Sequence, residues 1–281
     1  MTGTSGGPTQ GPQRVPPIQD WNRLLEGRVA VVTGGGVGIG GAIARLFAEH
    51  GAAVCVADNR LEAAEKVAGE IKKAGGRAIA VELDVRSADA WAAAVAETES
   101  EFGHVSLLCN NAGANFRVGF EEQTDDQFRL IMEVGLNGSF IGIKAVVPSM
   151  RKAGMGVILN MGSLASIRPG GGSPGYAARK MAMVGLTRSA ARSFAKDNIR
   201  CVIISPGHVD TPFIRGNNEH SPNDWSTSID NPENFERRVN STPLGRLQRP
   251  EDIANAFLFA ATDEAAMITG SMITVDGGAG M

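Results

Sequence analysis

The chain has 281 residues, of which 43% are hydrophobic and 20% charged, with a formal net charge of −3. That is the composition of a globular protein able to bury a sizeable core in one large domain. Both signs of charge are interspersed and no basic block occurs, so neither nucleic acid nor an anionic membrane surface is an expected partner. No uninterrupted apolar run of about 18 residues is present to span a membrane.

The N-terminal stretch "MTGTSGGPTQGPQRVPPIQD" is rich in Gly and Pro and lacks the apolar core of a signal peptide. Residues 1–26 are therefore expected to be a flexible extension, followed by a single domain over 27–281. Cys55, Cys109 and Cys201 lie far apart inside apolar runs. They read as free, buried thiols in a reducing compartment, which points to the cytoplasm.

From Arg28 a regular alternation begins. "RVAVVTGG" predicts a buried strand, and "GGAIARLFAEHG" a helix that stops at Gly51. "AAVCVADN", "AIAVELDV", "VSLLCNNAG", "GVILNMGS", "IRCVIISPG" and "SMITVDGG" predict further strands, with helical segments between them. Two of these helices are long, one from about Thr124 to Lys152 and one from about Gly175 to Asp197. Strands alternating with helices predict an α/β fold: a Rossmann-like, doubly wound parallel sheet with helices on both faces, in a single domain. Such sheets bind ligands beyond the carboxyl ends of their strands. The segment 213–242 breaks the rhythm. It is polar, with Trp225 and Phe235 as its apolar anchors, and is expected to be an inserted substrate loop.

"TGGGVGIG" joins the first strand to the first helix. Gly34, Gly38 and Gly40 allow a tight turn and a close backbone approach to a pyrophosphate, which would rest on the helix N-terminus next to Ile39. Asp58 ends the second strand, where a carboxylate accepts hydrogen bonds from ribose hydroxyls and repels a 2′-phosphate. NAD is therefore expected in preference to NADP, although Arg60 stands nearby. Asp84 and Val85 end the third strand, where a side chain can meet an adenine ring. "NNAG", Asn110 to Gly113, ends the fourth; Asn110 there suits a structural role.

Tyr176 and Lys180, four residues apart in "YAARK", share one helix face. An ammonium near a phenol favours the phenolate, which fits the pair for proton transfer. Ser163 closes the fifth strand, thirteen residues before Tyr176, where its hydroxyl can hold a substrate oxygen. Ser166 is the competing hydroxyl. The four histidines, His50, His104, His208 and His220, are scattered, and no metal site is expected.

With these residues assembled, the chain resembles the short-chain dehydrogenase/reductase family, in particular its single-domain members similar to 3-oxoacyl-carrier-protein reductases. The resemblance runs from about Gly27 to Gly278 and rests on "TGGGVGIG", "NNAG", Ser163, "YAARK", "SPGHVDT" and "VDGG". It implies NAD(P)-dependent interconversion of a secondary alcohol and a ketone. Tyr176 would be the general acid/base. Lys180 would bind the nicotinamide ribose and favour the phenolate, and Ser163 would position the substrate oxygen. Asn111, Ala112, Gly113, Pro206, Gly207, Val209 and Thr211 would join the cofactor site. A homotetramer is implied, packed through the two long helices and the C-terminal region. The pocket wall is expected to include Asn115, Phe116, Arg117, Ile167, Arg168, His208, Phe213 and Trp225, which would suit an apolar substrate with a polar or anionic end.

One departure stands out in "EVGLNGSFIG". The family carries an asparagine on the helix after the fourth strand, three residues before a glycine. Counting back from Gly138 gives Gly135, whereas Asn137 occupies a variable position two residues on, rotated by about 200°. The proton relay is thus expected to be altered but working, and Gly135→Asn to be tolerated. The alternative is a catalytically weakened dinucleotide-binding sensor or scaffold.

Overall fold

The computed structural model describes residues 20–168 and 172–281. The apolar runs form β1 (Val29–Thr33), β2 (Ala53–Asp58), β3 (Arg77–Glu82), β4 (Leu107–Asn110), β5 (Gly156–Met161), β6 (Ile199–Pro206) and β7 (Met272–Val275). They pair in parallel in the order β3-β2-β1-β4-β5-β6-β7. Every residue of β1, β2, β4 and β5 is buried. A strand covered on both faces has no solvent side, which is why these segments read as continuous apolar runs without alternation.

One face of the sheet is covered by α1 (Gly38–Glu49), α2 (Leu61–Lys73) and, from the far end of the chain, α9 (Pro250–Ala261). Their contribution to the core includes Ile43, Phe47, Val67, Ile71, Ile253 and Phe257. The other face is covered by α3 (Ala88–Phe102), α4 (Asp125–Met132), α5 (Gly138–Ala153) and α6 (Pro174–Phe194), with Trp91, Ile131, Ile143, Val146, Met150 and Ala190 packed against the strands. Fully burying one such side chain is worth about 1.5–3 kcal/mol. Two such layers hold the sheet flat-on between them. The fold class is that expected from the sequence.

Three boundaries differ from expectation. Leu25 is fully buried and its N–H donates to the His50 carbonyl (2.9 Å), so residues just before 27 already belong to the folded unit. The remaining part of the expected extension, 1–19, lies outside the described residues. The long helix expected over 124–152 is interrupted: α4 and α5 are joined by one π-turn, Glu133–Asn137. By length and apolarity the run Asp125–Ala153 would suffice to cross a membrane, but half of its most apolar stretch is buried within this protein, against α3 and the sheet. Lastly, 213–242 is a folded insertion, with α7 (Pro212–Arg215) leading into it and α8 (Pro232–Asn240) inside it.

The chain builds β1, β2 and β3 outwards, then returns to place β4 on the other side of β1. The two connections diverge there, and a cleft opens at the carboxyl ends of the strands.

Candidate active site

The cleft has a volume of about 1240 Å³. Its first wall is the turn between β1 and α1. Gly38 has φ +53°, a backbone region that side chains disfavour. A Cβ on Gly40 would lie 2.0 Å from the Gly34 carbonyl oxygen, so any larger residue would force the turn apart. Gly40 itself lies beneath the turn and does not line the cleft, whereas Gly34, Gly38 and Ile39 do. The turn is held from β4. Asn111 donates through Nδ2 to the carbonyls of Thr33 (3.0 Å) and Gly34 (3.2 Å). The Thr33 hydroxyl in turn accepts the N–H groups of Asn111 and Ala112, each at 3.1 Å.

Asp58 is 4% exposed and faces the cleft from the end of β2. Its carboxylate accepts the N–H of Gly36 (3.0 Å) and of Arg60 (3.1 Å). Asp84 and Val85 follow along the same wall. Asp84 is paired with Arg86 at 2.7 Å, which holds its carboxyl below the usual carboxylate range. Opposite stand Pro206, Gly207, Val209 and Thr211, the last packing against the Gly38 turn. This lining fits a dinucleotide: a glycine cradle that a Cβ would fill, then an acidic side chain at the end of the neighbouring strand.

Ser163, Tyr176 and Lys180 all line the deeper part of the cleft. Ser163 follows β5, and its hydroxyl accepts the Ala165 N–H (3.2 Å). The Ser166 hydroxyl accepts the Ser163 N–H (3.2 Å), is buried and does not line the cleft, so it acts as a turn cap. Tyr176 sits in the first turn of α6, fixed by Ser173, which caps the helix by accepting the Tyr176 N–H at 3.2 Å. Lys180 lies one turn later. Its ammonium donates to the Met161 carbonyl at 2.6 Å and lies 5.5 Å from the Tyr176 ring centre. Burial first, and then the charge of Arg179, push this ammonium well below the ordinary lysine range. Below Tyr176, Asn110 and Asn160 bond side chain to side chain (2.9 Å), and Asn160 donates on to Thr187 of α6 (2.9 Å). Asn110 is thus a tie between β4, β5 and α6.

Within the π-turn, Asn137 is exposed and Gly135 is buried. A Cβ at Gly135 would lie 1.9 Å from Arg179 Nη1 and 2.1 Å from its Cδ. The expectation that Gly135→Asn is tolerated is therefore corrected, because the space is already filled by a buried side chain. The Gly135 carbonyl accepts the Ser139 hydroxyl (2.7 Å).

The expected pocket wall is partly corrected. Asn115, Arg117, Arg168, His208 and Phe213 line the cleft, but Phe116, Ile167 and Trp225 do not. Phe116 packs into the core instead, and Ile167 and Trp225 are largely exposed. Sequence reading missed Arg179, Arg237 and Arg238, which do line it. Arg179 stands inside the motif "YAARK", between the two residues whose spacing carries the signal, and nothing in that pattern marks it. The other two are adjacent on α8, within a segment that read as a loop. Burial, and then Arg238, Arg168 and Arg237, lower the His208 imidazole below its ordinary range, so the positive charge around it at neutral pH is that of these arginines.

The chain matches the family model described as enoyl-(acyl carrier protein) reductase over residues 34–280. It belongs to the short-chain dehydrogenase/reductase family. Among its relatives in that family, a 2,5-dichloro-2,5-cyclohexadiene-1,4-diol dehydrogenase of Sphingobium indicum is 38% identical, over 92% of this chain and 97% of the relative. A cis-4-hydroxycyclohexanecarboxylate dehydrogenase of Sinomonas cyclohexanicum is also 38% identical, over 89% and 96%. The crystal structure of a 3-ketoacyl-(acyl-carrier-protein) reductase from Brucella melitensis complexed with NADH superposes with a TM-score of 0.80, at 34% identity, covering 92% of this chain and all of the other. The chain is an oxidoreductase that transfers a hydride between a nicotinamide dinucleotide and an alcohol or ketone. Nothing in these short-chain dehydrogenase relationships supports the sensor alternative.

Proposed function

We propose that the chain is an NAD-linked dehydrogenase of a compact cyclic secondary alcohol that carries a carboxylate. The observation behind the substrate class is a set of arginines that lack acidic partners. Arg117, Arg168, Arg237 and Arg238 line the cleft beside His208. None of the ion pairs among the described residues involves them. They bond to neutral groups instead: Arg117 to the Phe213 carbonyl (2.8 Å), Arg168 to the Ala279 carbonyl (2.6 Å), Arg237 to the Asn234 amide oxygen (2.6 Å). Burial, and then the charge of Arg238, bring Arg117 down to about 10. Cations gathered at this cost invite an anion, and guanidinium groups match a carboxylate in a bidentate manner. The relative that acts on cis-4-hydroxycyclohexanecarboxylate points to the same chemistry.

In this reading Asp58, with the Gly34, Gly38 and Ile39 turn, Asp84, Val85, Asn111, Ala112 and Gly113, would hold NAD. Asp58 disfavours the extra phosphate of NADP. When bound, the nicotinamide supplies a hydride acceptor. Ser163 orients the substrate oxygen, and Tyr176 takes its proton. Lys180 holds the cofactor's ribose and neighbours the phenolate. Pro206, Gly207, Val209 and Thr211 close the site around the nicotinamide. Cytoplasmic location is part of the same reading, supported by the three buried free thiols.

The experiment compares kcat/KM for 4-hydroxycyclohexanecarboxylate and for cyclohexanol, in wild type and in Arg238→Gln. A preference of roughly tenfold or more for the carboxylate, largely lost in the variant through a rise in KM, is expected for a charge-assisted contact. Equal activity on both alcohols, unaffected by the substitution, would overturn the substrate class.

A further inference from the structure

Arg179 is 3% exposed and has no carboxylate partner among the described ion pairs. Its Nε is buried without a hydrogen bond. An isolated buried cation is costly unless something nearby becomes negative. The guanidinium carbon lies over the Tyr176 ring, 5.3 Å from its centre, close enough for the cation and the phenol to interact through charge. The cation is wedged between two glycines. A Cβ at Gly113 would meet Arg179 Nη1 at 2.7 Å, and one at Gly135 would meet it at 1.9 Å. The π-turn brings Gly135 to this point, as such turns often do at functional sites.

We propose that Arg179 is a positioning residue that acts through Tyr176: its guanidinium, seated in the space that Gly135 and Gly113 leave open, stabilises the Tyr176 phenolate during proton exchange. The inference rests on the reading of Tyr176 as the proton-exchanging group. In the oxidative direction the Tyr176 oxygen takes the proton of the alcohol O–H and a phenol O–H forms. The carbinol C–H breaks as its hydride passes to NAD, and the carbon–oxygen double bond forms; the alcohol is oxidised and NAD reduced. The negative charge on the tyrosine oxygen before that step needs a fixed positive neighbour. Burial and the charge of Arg179 lower the Lys180 ammonium below its ordinary range, so a second cation beside the phenol adds to what the lysine supplies. A guanidinium stays protonated at any working pH. Arg179 thus adds a permanent cation over Tyr176 to the ammonium of Lys180, which is held by the Met161 carbonyl.

Tyr176 is the one tyrosine in the chain, so tyrosinate ultraviolet absorbance reads its ionisation alone. The other charged groups are Lys180 on its own helix and, from other elements lining the cleft, Arg60, Arg86, Arg117, Arg168, Arg237, Arg238, His208, His220, Asp58, Asp84 and Glu219; all are kept. In Arg179→Met the tyrosinate fraction at a fixed, mildly alkaline pH should fall on the order of 10- to 1000-fold, the range one adjacent opposite charge produces. Arg179→Lys should retain most of it. The alkaline-going limb of the rate profile should move with the absorbance. Should Arg179→Met not fold, the pair Gly135→Asn/Arg179→Ala refills the space without charge and should show the same fall. A tyrosinate titration identical to wild type in whichever neutral variant folds would overturn the role of Arg179. Turnover that survives Tyr176→Phe would overturn the reading of Tyr176, while leaving the absorbance result standing.

Discussion

At the scale of single residues, the proposed preference for NAD rests on Asp58. It is buried at the end of β2 with two backbone N–H groups on its carboxylate, so its position is fixed and its charge cannot swing away. A 2′-phosphate placed there would face a like charge, which costs several kcal/mol in a recognition site. Asp58→Ser keeps an acceptor for Gly36 and removes the charge. The ratio of kcat/KM for NADP over NAD should rise roughly tenfold or more, because Arg60 is then free of the 3.7 Å contact that now ties it to Asp58. An unchanged ratio would show that the preference lies elsewhere.

At the scale of elements, the insertion is where sequence and structure part most. Trp225 and Phe235 read as its anchors, yet they are 65% and 38% exposed. The segment is fastened by polar side chains instead. Asn223 donates to the Gly216 carbonyl (2.8 Å) and Asn234 to those of Ser226 (2.8 Å) and Ser228 (3.0 Å), both asparagines being buried. Buried amides that satisfy loop carbonyls leave no trace in hydrophobic periodicity, so the element looked unstructured. Asn234 also accepts a hydrogen bond from Arg237 of the cleft (2.6 Å). Asn234→Ala should therefore cost about 1–3 kcal/mol by leaving those carbonyls unsatisfied, seen as a lower Tm. It should also raise KM for the proposed anionic substrate more than it lowers kcat. A lower Tm with KM unchanged would separate the loop from substrate binding.

At the scale of the molecule, the strands and most helices were legible because a doubly wound sheet imposes its pattern on every strand. "RVAVVTGG" and "GVILNMGS" are apolar throughout because both faces of β1 and β5 are covered. The site was legible where a residue follows a strand or repeats at helical spacing, as with Asp58, Ser163, Tyr176 and Lys180. What the sequence concealed is complementarity between distant positions. Gly135 reads in sequence as a missing part, yet Arg179 fills its place in the fold, and four arginines from three segments meet only in the folded cleft. In the proposed function this cleft oxidises an alcohol with NAD through Tyr176. The direct measurement is NADH formation by wild type and Tyr176→Phe with an alcohol of the proposed class, alongside NADH binding to both. Unchanged binding and a rate loss of about 10²–10⁴ in the variant are expected. Equal rates in the two proteins would contradict the proposed function.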